Sequence, residues 1–254
     1  MRIDLSGKRV LVTGGSRGIG SALCRAFSEA GARVAVHYGR SREAAENLAS
    51  DIGGGAMTFG APLDEIAATE KLFDDVLEAF GGLDVLVNNA GVAVESPISK
   101  DVLAYAADWD YTMAVNLRAS GLLSRRAIQA FRQNDPTGGR MIHIASRAAF
   151  RGDTEDLVAY AASKGGIVSM SRTIARAYGR EKIVSFVIAP GWVRTDMAEE
   201  GIELYGEEFL TKDNALEGMA LPEDVAPMVL LLASGLADHA TGTSIDINSG
   251  SYVR

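Results

Sequence analysis

Seven short runs rich in Val, Ile and Leu recur along this chain, separated by longer stretches whose apolar residues follow a helical period. The strand candidates are residues 9–12, 33–38, 56–60, 84–88, 140–145, 183–188 and 244–247. The helix candidates are 20–30, 42–52, 64–80, a long one around 109–132, 158–180 and 222–233. Strands that alternate with helices are joined by crossovers and therefore run parallel. Runs such as Val10-Leu11-Val12 and Val85-Leu86-Val87 are apolar without alternation, so they need cover on both faces. The expected fold is α/β: a doubly wound parallel sheet of about seven strands with helices on both sides. With 254 residues, no repeat and no break in composition, residues 1–254 read as a single domain. The least regular part is 192–220, rich in Glu, Gly and Met, between the sixth strand and the helix opened by Pro222. An excursion at the carboxyl end of a strand is either a substrate lid or a plain surface helix.

Charge and cysteine content narrow the partners. Lys and Arg number 25 against 33 Asp and Glu, a formal charge of −8. That balance opposes nucleic acid or an anionic membrane as a partner. Cys24 is the only cysteine, which rules out an intrachain disulfide and fits a reducing compartment. Among Ala22, Leu23 and Phe27 it reads as buried filler. The start, Met1-Arg2-Ile3-Asp4, lacks the apolar core of a signal peptide, and no apolar run is long enough to cross a bilayer. The expected location is the cytoplasm. His37, His143 and His239 are too scattered for a metal site, so none is expected, and His143 reads as a core histidine.

The first strand runs into Thr13-Gly14-Gly15-Ser16-Arg17-Gly18-Ile19-Gly20 and then a helix. Glycines let the backbone reach positive φ and let a pyrophosphate approach closely, and the helix amino terminus offers free N–H groups and partial positive charge. The spacing differs from G-x-G-x-x-G, and a tight turn that binds nothing has the same signature. At the end of the second strand, His37-Tyr38-Gly39-Arg40-Ser41 has no carboxylate to accept ribose hydroxyls. It offers Arg40, with Arg42 beyond it and Arg17 in the glycine turn. Two guanidinium groups can clamp a 2′-phosphate, so NADP(H) is expected over NAD(H), unless all three arginines are solvated surface charges.

In Tyr160-Ala161-Ala162-Ser163-Lys164 a phenol and an ammonium stand four residues apart, on one face of a helix. A nearby cation favours phenolate, which would bring the tyrosine's proton exchange down from its usual pKa of about 10. Two ordinary helix-surface residues share this spacing.

Taken in order, these elements resemble the classical short-chain dehydrogenase/reductase family from Leu5 to about Gly250, on a Rossmann-type sheet. Thr13-Gly14 with Gly18-Ile19-Gly20 matches the family's cofactor turn, and Asn88-Asn89-Ala90-Gly91 its tetrapeptide after the fourth strand. Asn116, Ser146, and the pair Tyr160 and Lys164 match its catalytic residues. Pro190-Gly191-Trp192-Val193-Arg194-Thr195 matches the segment beside the nicotinamide. The resemblance implies that Ser146 holds the substrate oxygen and Tyr160 exchanges its proton. Lys164 would bind the nicotinamide ribose and lower the tyrosine pKa, and Asn116 would hold a water that links Lys164 to solvent. Cofactor contacts implied alongside the turn residues, Ser16 and Arg17 included, are Tyr38, Arg40, Leu63, Asn89, Ala90, Gly91, Pro190, Gly191, Val193 and Thr195. Asn88 would also lie along the riboses.

The chain departs from the family at Ala61-Pro62-Leu63-Asp64, where Pro62 stands at the position of an acid that meets adenine. The Leu63 backbone or Asp64 would have to serve instead. Ser249 in Asn248-Ser249-Gly250 stands where two glycines are common. The loop 147–159 is charged through Arg151, Asp153, Glu155 and Asp156. Trp192, Met197, Tyr205 and Met219 read equally as the lining of an apolar substrate pocket or as core under a lid, and Arg125-Arg126 as a solvated helix face. The expected activity is NADP-dependent hydride transfer to or from a secondary alcohol or ketone. The alternatives are reduction of a 3-oxoacyl thioester on an acyl carrier, or cofactor binding without turnover. The resemblance also implies a homo-oligomer, dimer or tetramer, packed through the long helices around 109–132 and 158–180.

Overall fold

The computed structural model describes residues 3–254, the side chain of Glu200 excepted; Met1 and Arg2, part of the start-of-chain reading, lie outside the described residues. The first half alternates strictly: β1 (Arg9–Val12), α1 (Gly18–Glu29), β2 (Arg33–Tyr38), α2 (Arg42–Ile52), β3 (Met57–Gly60), α3 (Ile66–Phe80) and β4 (Val85–Asn88). Then come α4 (Val102–Met113), a π-helical turn (Ala114–Arg118), α5 (Ala119–Phe131), β5 (Gly139–Ile144), the short α6 (Ala148–Arg151) and α7 (Val158–Tyr178). The chain closes with β6 (Ile183–Pro190), α8 (Asp196–Tyr205), α9 (Glu207–Thr211), α10 (Pro222–Ser234) and β7 (Ser244–Ile247). The seven strands form one sheet in the order β3-β2-β1-β4-β5-β6-β7, all parallel. After β3 the chain crosses back over β1 to place β4, so the loops after β1 and β4 diverge at the carboxyl edge, where α/β sheets bind ligands.

Alternate residues of each strand feed two separate cores. Val10, Val12, Val34, Val36, Val85 and Val87 face α1, α2 and α10. Leu11, Ala35, Leu86 and Met141 face α3, α5 and α7. This two-sided burial is what the unbroken apolar runs required. Cys24 is fully buried in the first core, where burial pushes its thiol up, consistent with filler.

Several boundaries differ from expectation for local reasons. β4 starts at Val85 because the Asp84 carboxylate accepts from the Arg9 backbone N–H at 2.9 Å and from its Nε at 2.8 Å. β6 continues two residues to Pro190, which pairs with Ile247. The long helix begins at Val102 rather than near Trp109. Asp101 caps it by accepting from Leu103 N at 2.9 Å, while Val102 and Leu103 are exposed and gave no periodic signal. It is also interrupted by the π turn. Arg126 is no solvated face: its guanidinium bonds Glu70 at 2.8 Å and also Asp74, and lies 5.4 Å from the Phe73 ring centre. Among the described residues, no helix is long and apolar enough to cross a membrane.

Two histidines are sealed into this frame. His37 Nδ1 accepts from Gly14 N at 3.0 Å, so Nε2 carries the proton and donates to Ala61 O at 3.0 Å. His143 Nδ1 accepts from Asn88 Nδ2 at 3.1 Å, and Nε2 donates to Ser185 Oγ at 3.2 Å. Burial pushes both down to about 4. Their folded pKa lies below the unfolded 6.5, so protonation favours the unfolded chain. The stability they contribute is complete above pH 6.5 and is lost as pH falls toward 4, about 2–3 kcal/mol per ring by pH 4.5. Urea unfolding at pH 7 and 4.5 is expected to show this loss, and His37→Asn a loss smaller by about one ring's share.

Candidate active site

The glycine turn is shaped by contacts that a side chain would break. Gly14 and Gly18 have φ of +60° and +52°. A Cβ on Gly20 would stand 2.0 Å from the Gly14 carbonyl oxygen. Thr13 ties the turn to the loop after β4: its Oγ1 accepts from Asn89 N at 2.9 Å and Ala90 N at 3.0 Å, and donates to Val87 O at 3.3 Å. The Asn89 amide donates to Thr13 O at 2.9 Å and Gly14 O at 3.1 Å. Arg17, at the N-cap of α1, is extended and makes no side-chain cap, so the first N–H groups of a 12-residue helix face the turn. This cradle, with half-buried Ser16 and Ile19 beside it, fits a dinucleotide pyrophosphate.

At the end of β2 the Tyr38 ring lies against Gly60, whose absent Cβ would be 2.8 Å from Tyr38 Cζ. Arg40 is exposed and has no ion pair among the described residues. Arg42 is bound to Glu46 at 2.7 Å. Arg17 reaches across to Asp196 at the start of α8, at 3.2 Å on the open surface. The Leu63 side chain is buried in the second core while Pro62 and Asp64 are exposed, which leaves backbone as the inward polar group of this loop.

Ser146, Tyr160, Lys164 and Asn116 come together from three parts of the chain: the loop after β5, α7 and the π turn. Ser146 follows β5 and its Oγ accepts from Ala148 N at 3.1 Å. The Ser146 hydroxyl stands near enough to the Tyr160 phenol to favour its ionised form. Lys164, one turn further along α7, is buried, and its Nζ donates to Ile144 O at 2.9 Å and lies 5.7 Å from the Tyr160 ring centre. Gly91 makes room for it: a Cβ there would be 3.2 Å from Lys164 Nζ and 3.4 Å from Asn116 Oδ1. Asn116 sits in the π turn. Its Oδ1 accepts from Val92 N at 2.8 Å, and its Nδ2 donates to Val92 O at 2.9 Å and Ser163 Oγ at 3.0 Å. The Ser163 hydroxyl donates to Tyr160 O at 2.7 Å. Both N–H groups of the Asn116 amide are thus committed, and its backbone carbonyl accepts from Ser120 Oγ at 2.8 Å, so a bound water would have to share an oxygen that is already bonded.

Burial outweighs the cation at the phenol. It pushes Tyr160 up to about 12, opposed by the nearby Ser146 hydroxyl and helped by the Asp153 carboxylate. Burial also pulls Lys164 down to about 8. The expected lowering of the tyrosine by Lys164 is therefore not present in the protein alone.

The third wall is the segment after β6. Gly191 N bonds Ile247 O at 2.9 Å, and a Cβ on Gly191 would meet Asn248 Cα at 2.9 Å. Val193 is buried and bridges to Ala220, which closes the base of the 192–220 excursion. The Thr195 methyl stands 3.0 Å from where a Gly18 Cβ would be, so this segment touches the glycine turn. Within the excursion, Met219 is buried and Trp192 half-buried, whereas Met197 and Tyr205 are exposed. The four residues thus divide between the two readings. Sequence reasoning missed His37, Val92 and Ser163 as supports of the site. Their partners are remote in the chain, and only the Ser163 hydroxyl inside the Tyr-Lys turn offered a local signal. Among the described residues no group of three His, Cys, Asp or Glu is arranged to hold a metal.

A parallel sheet with a pyrophosphate cradle at its switch point, beside a half-buried phenol and serine and a buried ammonium, defines a nicotinamide-dependent oxidoreductase. Comparison with known proteins gives the family. The profile of a family described as Enoyl-(Acyl carrier protein) reductase matches residues 14–251. Versicolorin reductase stcU of Emericella nidulans is 34% identical, over 98% of this chain and 97% of the relative. The 3-oxoacyl-[acyl-carrier-protein] reductase FabG of Aquifex aeolicus is 30% identical over 99% and 100%. A short chain dehydrogenase from Burkholderia cenocepacia J2315 solved in complex with NADP superposes with a TM-score of 0.86, at 32% identity over 97% of this chain and 98% of that one. The chain belongs to the short-chain dehydrogenase/reductase family.

Asn116→Leu would leave two Val92 backbone groups without partners and take from the Ser163 oxygen the N–H it accepts. It is expected to lower unfolding free energy in urea by about 2–4 kcal/mol.

Proposed function

We propose that this oxidoreductase uses NADP(H) to interconvert a ketone and a secondary alcohol, with residues 1–254 acting as one catalytic domain. The observation that carries this reading is the convergence of Ser146 and Tyr160 with the buried Lys164 ammonium, which donates to Ile144 O at 2.9 Å, lies 5.7 Å from the Tyr160 ring centre and abuts Gly91 of the loop after β4. In this reading Ser146 orients the substrate oxygen, and Tyr160 donates its proton to that oxygen in reduction and accepts it in oxidation. Lys164 holds the nicotinamide ribose and keeps positive charge beside the phenol, and Asn116 fixes the first turn of α7 through Ser163. The cofactor, when bound, supplies or accepts the hydride. Gly14, Ser16, Gly18, Ile19 and Gly20 would take its pyrophosphate. Asn89, Ala90 and Gly91 would lie along its riboses, with Pro190, Gly191, Val193 and Thr195 beside its nicotinamide.

Unpaired Arg40, and Arg17 in a weak surface pair, favour NADP over NAD, because both can turn to a 2′-phosphate; Tyr38 and the Leu63 backbone would flank the adenosine. The 192–220 excursion would serve as the substrate lid. A 3-oxoacyl thioester is the second reading, favoured by the FabG relative. The formal charge of −8 opposes docking of an acidic carrier. We also read the protein as a cytoplasmic homo-oligomer, with exposed Ile98, Val102 and Leu103 as apolar surface for a second copy; sedimentation would give the subunit number.

Three outcomes are expected in assays that follow NADPH consumption with a panel of ketones. Tyr160→Phe lowers kcat by roughly 10²–10⁴-fold; unchanged turnover would overturn the proton-transfer role. Reduction needs the ammonium and the protonated phenol, so kcat/KM is expected to be flat below about pH 8 and to fall above it as Lys164 loses its proton. Arg17→Ala with Arg40→Ala is expected to weaken NADPH binding roughly tenfold or more while sparing NADH. Equal loss for both cofactors would remove the phosphate clamp.

A further inference from the structure

Arg147, the residue after Ser146, carries a buried guanidinium with no carboxylate partner among the described residues. It is 6% exposed. Its backbone N–H bonds Pro190 O at 2.9 Å, which fixes it beside the nicotinamide-side segment. Its side chain makes one hydrogen bond, from Nη1 to the Ser251 hydroxyl. Its remaining N–H groups have no partner among the described residues, and no carboxylate lies within ion-pair distance. Three partly buried arginines of this chain each have a carboxylate partner: Arg9 with Asp84 at 2.8 Å, Arg126 with Glu70 at 2.8 Å, and Arg140 with Asp238 at 2.7 Å. A buried charge with only a neutral partner is strongly unfavourable unless an anion completes it.

The tail that Arg147 holds through Ser251 also meets the 192–220 excursion, where Ala215 N donates to Ser249 O at 2.7 Å. The exposed Arg151 and Asp153 act on the guanidinium at longer range. Asp213, just past the end of α9, also acts on Arg147. The guanidinium therefore sits where the loop after β5, the 192–220 excursion and the carboxyl-terminal tail converge. A planar fork of donors suits a carboxylate or another anionic oxygen.

We propose that Arg147 is a substrate-recognition residue. The substrate is a ketone or secondary alcohol that carries an anionic oxygen group, a carboxylate or an ionised phenol. The Arg147 guanidinium receives that group while the carbonyl lies on Ser146 and Tyr160. This assignment rests on the ketone–alcohol reading given above.

The test pairs acidic ketones with neutral counterparts: meta-acetylbenzoate against its methyl ester, and meta-hydroxyacetophenone against its methyl ether. Binding is read by tryptophan fluorescence with NADP present, and turnover by NADPH consumption. The full-length protein is expected to bind meta-acetylbenzoate roughly tenfold or more tightly than the ester. Arg147→Met is expected to abolish that preference through KM while changing the ester's constants less than roughly twofold, and Arg147→Lys to restore part of it. Arg151→Met, an exposed neighbour, should keep the preference intact. A phenol preference that appears only as pH rises through the phenol's own ionisation would point to phenolate rather than carboxylate as the preferred group. Equal affinity for both members of both pairs, or an Arg147→Met variant that weakens acid and ester alike, would overturn the assignment and leave Arg147 as a structural tie to the tail. If Arg147→Met does not fold, the acid-to-ester ratio of the wild type against Arg147→Lys decides in the same two directions. The two readings fail separately. An Arg147-dependent preference in binding without NADPH consumption would defeat the ketone chemistry and keep the anion site. Consumption of NADPH with acids and esters at equal kcat/KM would do the reverse.

Discussion

The Thr13 hydroxyl holds the site open. At the switch point the chain leaves β1 toward one edge of the sheet and leaves β4 toward the other, so the two loops part and expose backbone groups. Thr13 Oγ1 takes two N–H groups from the β4 loop and gives its proton to Val87 O, while the Asn89 amide returns two bonds to the β1 loop. The crevice keeps its shape with its own polar groups satisfied and the N–H groups of α1 left facing inward. The glycines follow from that arrangement: Gly20 has no room for a Cβ because the Gly14 carbonyl, turned toward Asn89, already fills the space.

The same economy governs the reactive end. Asn116 clamps Val92 with both ends of its amide and reaches Ser163, which in turn fixes the Tyr160 carbonyl. The π turn brings this side chain, from the middle of a long helix, into contact with two other segments at once. π turns inside helices occur where function demands a side chain out of register. Burial resists ionising either the phenol or the ammonium, and the nearby Ser146 hydroxyl opposes this on the phenol side alone.

Much of this was legible from the residues. The parallel sheet followed from strands alternating with helices, and its two-sided cover from unbroken apolar runs. The cradle followed from glycines between a strand and a helix, and the Tyr160–Lys164 pair from a spacing of one turn. All of these signals are local. What escaped depended on partners distant in the chain. Val102 and Leu103 open α4 with their side chains in solvent, so no period announced them. Arg126 looked solvated because Glu70 and Asp74 arrive from another helix. The tyrosine's acidity was misjudged because sequence displays the neighbouring cation and conceals the depth of burial. The charge of the 147–159 loop was evident, yet the enclosed member of that set, Arg147, was not separable from its exposed neighbours.

The contact between Arg17 and Asp196 spans the mouth of the crevice, with 67% and 61% of the two side chains in solvent. Pairs this wet hold by about 1 kcal/mol at most. At room temperature that leaves the clasp undone in at least roughly one molecule in six, and added electrolyte raises the fraction. The doorway between the glycine turn and α8 is thus spring-loaded rather than bolted: it flickers on its own, with no energy source beyond thermal motion.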